Sequence, residues 1–120
     1  MNIKTQGYLM IVSVFHEKIS EDVVCALTEI GVKDICSVTA VNETRRLPYL
    51  MPIFGGLKGI LGKTSSLSKI YLSVVESEKA AEDFLSSLKL ADVDFIGDDL
   101  GEILLMPLQS VYKNTSEKKK

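Results

Sequence analysis

The chain has 120 residues and a mass of 13.2 kDa, a one-domain length, and its 46% hydrophobic and 25% charged residues suit a single buried core rather than a disordered polymer. A net charge of −2 and a pI near 5.4 leave it without the basic footprint of a nucleic-acid binder. Two cysteines and one histidine are too few for a disulfide scaffold or a Cys/His zinc site.

The first element is an apolar run from Tyr8 to Phe15, broken only by Ser13. It is too short to span a bilayer, and no small-x-small cleavage site follows it. It reads as a buried inner strand. The expected location is therefore cytoplasmic, with Cys25 and Cys36 as free thiols serving as small core residues. Ser20 then predicts an N-cap, Glu21 and Asp22 suit the positive end of a helix dipole, and Ile19 can staple onto Val24. Val23, Leu27 and Ile30 recur at helical spacing, and Gly31 marks a stop. Ile35 to Val41 reads as a second strand from its β-branched content, and Lys69 to Glu76 as a third. Ser77 predicts the cap of a second helix with Ala81, Phe84, Leu85 and Leu88 as its apolar stripe. Glu102 to Met106 is the last strand, stopped or pushed to an edge by Pro107.

The order β-α-β, long connection, β-α-β predicts an α+β ferredoxin-like βαββαβ sandwich: a four-stranded antiparallel sheet with two helices on one face. One domain is expected over residues 1–112, with residues 113–120 a basic, disordered tail. Strands this apolar imply that the second sheet face is covered too. Nothing remains in one domain to cover it, so self-association is the natural solution.

Charge is distributed in blocks. Residues 76–102 hold nine acids against Lys79 and Lys89, the pattern of a solvated face. The connection from Asn42 to Ser68 instead mixes Arg45, Arg46, Lys58 and Lys63 with large apolar residues. Its 27 residues exceed the roughly 12–15 that a structureless loop in a compact domain usually reaches. From Pro52, the residues Ile53, Leu57 and Ile60 share one face of a short helix, while Gly55 and Gly59 permit close approach of another helix. Two readings stand. The stretch Arg45, Arg46, Leu50, Ile53, Phe54 and Leu57 is a docking element for a membrane protein or membrane surface, or it packs on the protein's own assembly or supplies an extra core helix.

Four pieces of the sequence, in this order and spacing, carry a resemblance to a known family. They are Ala26-Leu-Thr-Glu-Ile-Gly-Val32, the excursion 42–68, Ser66-Leu-Ser-Lys-Ile70 followed by Val74-Val75, and Ile96-Gly-Asp98 followed by Gly101-Glu-Ile103. Together they resemble the P-II-like (nitrogen regulatory protein P-II) signalling superfamily over roughly residues 7–108. The resemblance implies a homotrimer that senses a small effector, an adenine nucleotide among the candidates, in clefts between subunits. It further implies a long loop between strands two and three as the output toward a partner such as a membrane transporter. By resemblance Ile35, Cys36, Gly97, Asp98 and Gly101 would line the cleft. The chain departs from the nucleotide-binding pattern: Glu102 stands where the family's turn has lysine, Asp99 lies beside it, no glycine opens the loop at Asn42-Glu43-Thr44, and no arginine pair follows the last strand. Carboxylates in those places oppose triphosphate oxygens. The competing reading is an interaction or scaffold protein of the same fold that has lost nucleotide sensing.

Catalytic signals are thin. Asp92, Asp94, Asp98 and Asp99 offer oxygen donors for a hard divalent cation, without EF-hand spacing. His16 has no second histidine, and neither cysteine has a base and oxyanion site supplied by its neighbours. No phosphate-binding loop, nucleophile elbow, HExxH or dinucleotide fingerprint is present. The expectation is a protein that is not an enzyme.

Overall fold

The computed structural model describes residues 2–4, 7–43 and 67–113. In chain order its elements are β1 (Asn2–Lys4), β2 (Tyr8–Val14), a 3₁₀ turn (Glu17–Ile19), α1 (Ser20–Glu29), β3 (Cys36–Val41), β4 (Leu67–Val75), α2 (Ala80–Leu90), β5 (Gly101–Pro107) and β6 (Val111–Lys113). Four strands form one antiparallel sheet in the order β3-β4-β2-β5, and β1 pairs with β6 in a separate ribbon. This is the α+β ferredoxin-like arrangement that the element order predicts.

Alternation along the strands explains which face the helices take. On β2, Met10, Val12 and Val14 are buried, and cross-strand pairing sets Ser73 and Tyr71 of β4 beside Met10 and Val12. Helix α1 contributes Val23, Ala26 and Leu27 to that core, and α2 contributes Phe84 and Leu88. Phe95, from the turn after α2, meets Phe84 edge to face at 5.8 Å and 81°, a favoured aromatic geometry. The two helices are also tied by the Ser87 hydroxyl donating to Glu29 at 2.8 Å.

Several local expectations are corrected. Ser20 does not cap α1: the chain enters through the 3₁₀ turn, Ile19 takes the cap position, and the Ser20 hydroxyl is buried with no hydrogen-bond partner. Ile19 is buried while Val24 stays exposed. Lys79, not Ser77, is the cap residue of α2, although the Ser77 hydroxyl accepts the Lys79 N–H at 3.0 Å and so does part of the predicted work. Strand β4 starts at Leu67, two residues before the predicted Lys69, because Val41–Leu67 and Ala40–Ser68 pairs extend the ladder with β3. Both cysteines are exposed rather than core residues. Cys25 lies on the outer flank of α1, and Cys36 lies on the sheet face that no helix covers. Strands β1 and β6 have no counterpart in the sequence reading; at three residues each they are too short to show a period.

Candidate functional site

The face of the sheet opposite the helices is apolar. Cross-strand pairing aligns Met106, Leu9 and Val74 in one row, and Leu104, Ile11, Leu72 and Cys36 in the next. A third row holds Glu102, Ser13, Ile70 and Val38. At the flanks Leu104 keeps 51% of its surface exposed, Val38 50%, and Met106 and Val74 47% each. Scattered exposed apolar residues are ordinary; this contiguous group across four strands is an exposed apolar patch.

The turn leading into β5 is built from the acids that the sequence singles out. Asp94 accepts the Gly97 N–H at 3.1 Å, and its carboxylate fills the space where a side chain at position 97 would begin. Asp99 adopts a left-handed backbone (φ 53°), which Asp tolerates better than most residues, and so turns the chain back toward the sheet. The Leu100 carbonyl then takes the Phe15 N–H at 2.8 Å, and Gly101 enters the ladder opposite Val14. A Cβ at Gly101 would collide with the Ser13 carbonyl and the Phe95 ring, so glycine there is a packing requirement. Among the described residues no group of three or more His, Cys, Asp or Glu side chains is placed to hold a metal ion.

The residues predicted to line a ligand cleft fall into two groups. Gly97, Asp98 and Gly101 are at the β5 edge, whereas Ile35 and Cys36 are at the β3 edge. Three strand spacings separate the edges, about 14 Å at roughly 4.8 Å per strand. One subunit therefore does not bring them together. Asp98 is exposed and Ile35 half-buried. Arg45, Arg46, Leu50, Ile53, Phe54 and Leu57 lie outside the described residues, as does the tail beyond Lys113. What is described is the root of that excursion: β3 and β4 are paired to their ends, Val41 against Leu67, so the intervening segment leaves and re-enters at one corner of the sheet.

The sequence reading missed one concavity. A cleft of about 420 Å³ opens where β2 begins and β4 and β5 end, lined by Gly7, Tyr8, Ser77, Glu78 and Pro107 among others. In it the Tyr8 hydroxyl donates to Glu78 at 3.3 Å. Those residues are 70 positions apart and meet because Tyr8 pairs with Val75 just before the chain turns into α2. No local pattern signals such a contact.

The fold has known counterparts. A nitrogen regulatory PII-like protein, CPII from Thiomonas intermedia, superposes with a TM-score of 0.57 at 13% identity, covering 92% of this chain and 97% of that one. A PII-like signalling protein from Thermus thermophilus superposes at a TM-score of 0.48 and 16% identity, covering 92% and 91%. No family model matches the sequence, and no curated protein is similar to it in sequence. The chain thus shares the fold of the PII-like protein from Thiomonas intermedia. No helix among the described residues is long and apolar enough to cross a membrane.

Proposed function

We propose that the protein is a homotrimeric, non-enzymatic PII-like regulator. It senses a small effector in clefts between subunits and acts on a partner through the segment between β3 and β4. The observation that carries this reading is the uncovered apolar sheet face on a PII-like fold. Rows such as Leu104–Ile11–Leu72 cost free energy in water, at about 25 cal/mol per Å² of apolar surface, and joining three copies removes them from it. Trimer formation also supplies what a single subunit lacks, a β3 edge of one copy beside the β5 turn of another, so that Ile35 and Cys36 meet Gly97, Asp98 and Gly101.

The effector is one that tolerates Asp99 and Glu102 at the cleft, and ATP binds weakly because these carboxylates stand in place of cations and no arginine pair follows the last strand. The partner element is the stretch holding Leu50, Ile53, Phe54 and Leu57, steered by Arg45 and Arg46 toward an acidic or membrane-embedded surface such as a transporter. Burying two or three such apolar side chains, at about 1.5–3 kcal/mol each, offsets the ordering of the segment. The protein works in the cytoplasm and reaches the membrane through its partner.

Light scattering combined with a thermal-shift screen tests the reading. The expected result is a trimer whose melting temperature rises with one small effector and hardly at all with ATP. A monomer at micromolar concentration overturns it. A trimer that no adenine nucleotide, cyclic dinucleotide, bicarbonate or divalent ion stabilises favours a scaffold protein of the same fold. The double change Phe54→Asp with Leu57→Asp separates the two roles of the segment: loss of partner or liposome binding at unchanged melting temperature supports docking. Dissociation or unfolding of the trimer makes the segment part of the assembly instead.

A further inference from the structure

The helix layer stops short of the outermost strand of the sheet. On β3, Ser37, Thr39 and Val41 lie opposite Tyr71, Lys69 and Leu67, so they share the helix side, and all three are exposed. At this step a groove of about 310 Å³ runs between α1 and the sheet, lined by Ser20, Glu21, Val24, Cys25 and Tyr71. That is the small end of the roughly 300–1,000 Å³ found for small-molecule pockets. Along α1, Ser20 and Val24, and Glu21 and Cys25, are each one turn apart, so they form a stripe beside the buried one of Val23, Ala26 and Leu27. A helix face in contact with water ordinarily carries polar residues. Here Val24 keeps 38% of its surface exposed next to the exposed Cys25, and the buried Tyr71 closes the groove from the sheet.

The same groove holds a polar group with nothing to bind. The Ser20 hydroxyl is buried and makes no hydrogen bond, and it does not cap the helix, since Ile19 takes that position. Burying a hydroxyl unpaired is unfavourable, and most buried hydroxyls have a partner. Glu21 is the one charged residue of the lining, and it is negative.

We propose that this groove binds a small, uncharged, mainly apolar molecule with one hydrogen-bond acceptor. Val24, Cys25 and Tyr71 take its apolar body, and the Ser20 hydroxyl donates to its oxygen, which supplies the partner that Ser20 lacks. Glu21 turns away anions, because two carboxylates beside an apolar wall repel each other with little screening. The site is complete within one subunit, whereas the effector cleft proposed above needs two, so the two readings stand or fall separately.

Alkylation of Cys25 by iodoacetamide in the full chain, followed by peptide mass spectrometry, tests it with acetophenone as the probe. Acetophenone has the required oxygen, ethylbenzene has nearly the same shape without it, and benzoate adds a negative charge. Acetophenone is expected to slow the alkylation of Cys25 saturably. Ethylbenzene and benzoate should need about tenfold higher concentrations for the same protection, the value of one lost hydrogen bond. Ser20→Ala, which removes the donor and leaves the apolar wall in place, should bring acetophenone down to the level of ethylbenzene. Equal protection by acetophenone and either control overturns the site, as does protection by acetophenone that Ser20→Ala leaves unchanged, or an alkylation rate that none of the three alters. Those results in a trimeric protein leave the proposed assembly standing. Protection by acetophenone in a protein that stays monomeric overturns the assembly and leaves the groove.

Discussion

The two faces of the sheet are similar in sequence and opposite in fate. Met10, Val12 and Val14 alternate with Leu9, Ile11 and Ser13 along a single strand, so β2 presents large apolar residues to both sides. On one side α1 and α2 close over them, and Met10 and Val12 have no exposed surface. On the other side Leu9 and Ile11 are half-buried, with Leu104 and Met106 open beside them. Hydrophobicity measured along the chain does not distinguish these sides; coverage does. Stability of the subunit resides on the first face, and the proposed association would use the second, so substitutions on the two should read out in different experiments.

The largest effect is expected on the covered face. Phe84→Ala removes a fully buried ring that meets Phe95 edge to face and should cost about 3–5 kcal/mol in chemical denaturation, whatever the assembly state. Gly101→Ala forces a methyl group against the Ser13 carbonyl and the Phe95 ring, and should lower stability by about 1–3 kcal/mol with a fall in melting temperature. If instead Gly101→Ala leaves stability unchanged and alters only effector response, glycine there serves the cleft and not the packing.

The open face should behave in the reverse sense. Leu104→Asp places a carboxylate on a half-exposed position, so the isolated subunit should change by about 0.5 kcal/mol or less. Its assembly should shift strongly toward the monomer in sedimentation, because the carboxylate would be buried unpaired between copies. An unchanged oligomer would remove the distinction between the faces. The smallest effect is expected at Ser20→Ala. A capping serine loses about 1 kcal/mol on such a change, but the Ser20 hydroxyl is buried without a partner, so thermal denaturation should show no loss or a slight gain.

Much of the architecture was legible along the chain. Long β-rich segments and two amphipathic stripes are local signals, and Val23, Leu27, Phe84 and Leu88 are core residues at the helical spacing that predicts them. The caps were less legible. Ser20 followed by Glu21 and Asp22 has the composition of a helix start, yet the 3₁₀ turn moves the boundary and takes the cap with it. The cysteines were misread for a different reason: burial of a small residue depends on what covers it, and Cys36 is on the side without helices. As for the candidate site, Gly97 and Gly101 were recognisable as turn residues, but the Asp94 carboxylate filling one and the Phe95 ring closing on the other are contacts across the turn that no spacing announces.

What the amino-acid order determined by itself is the succession of elements and their apolar stripes, together with the position of a long basic and apolar insertion between the second and third strands of the sheet. These follow from period and composition, which are properties of neighbours in sequence. Only the tertiary structure decided the strand order β3-β4-β2-β5, and with it the placement of Ile35 and Cys36 on one edge and Gly97, Asp98 and Gly101 on the other. It also decided that β1 and β6 pair with each other in a ribbon of their own, and that Tyr8 meets Glu78. Such juxtapositions depend on which strands pair and in what register, a choice made by burying one face of the whole sheet at once and therefore not by any segment alone.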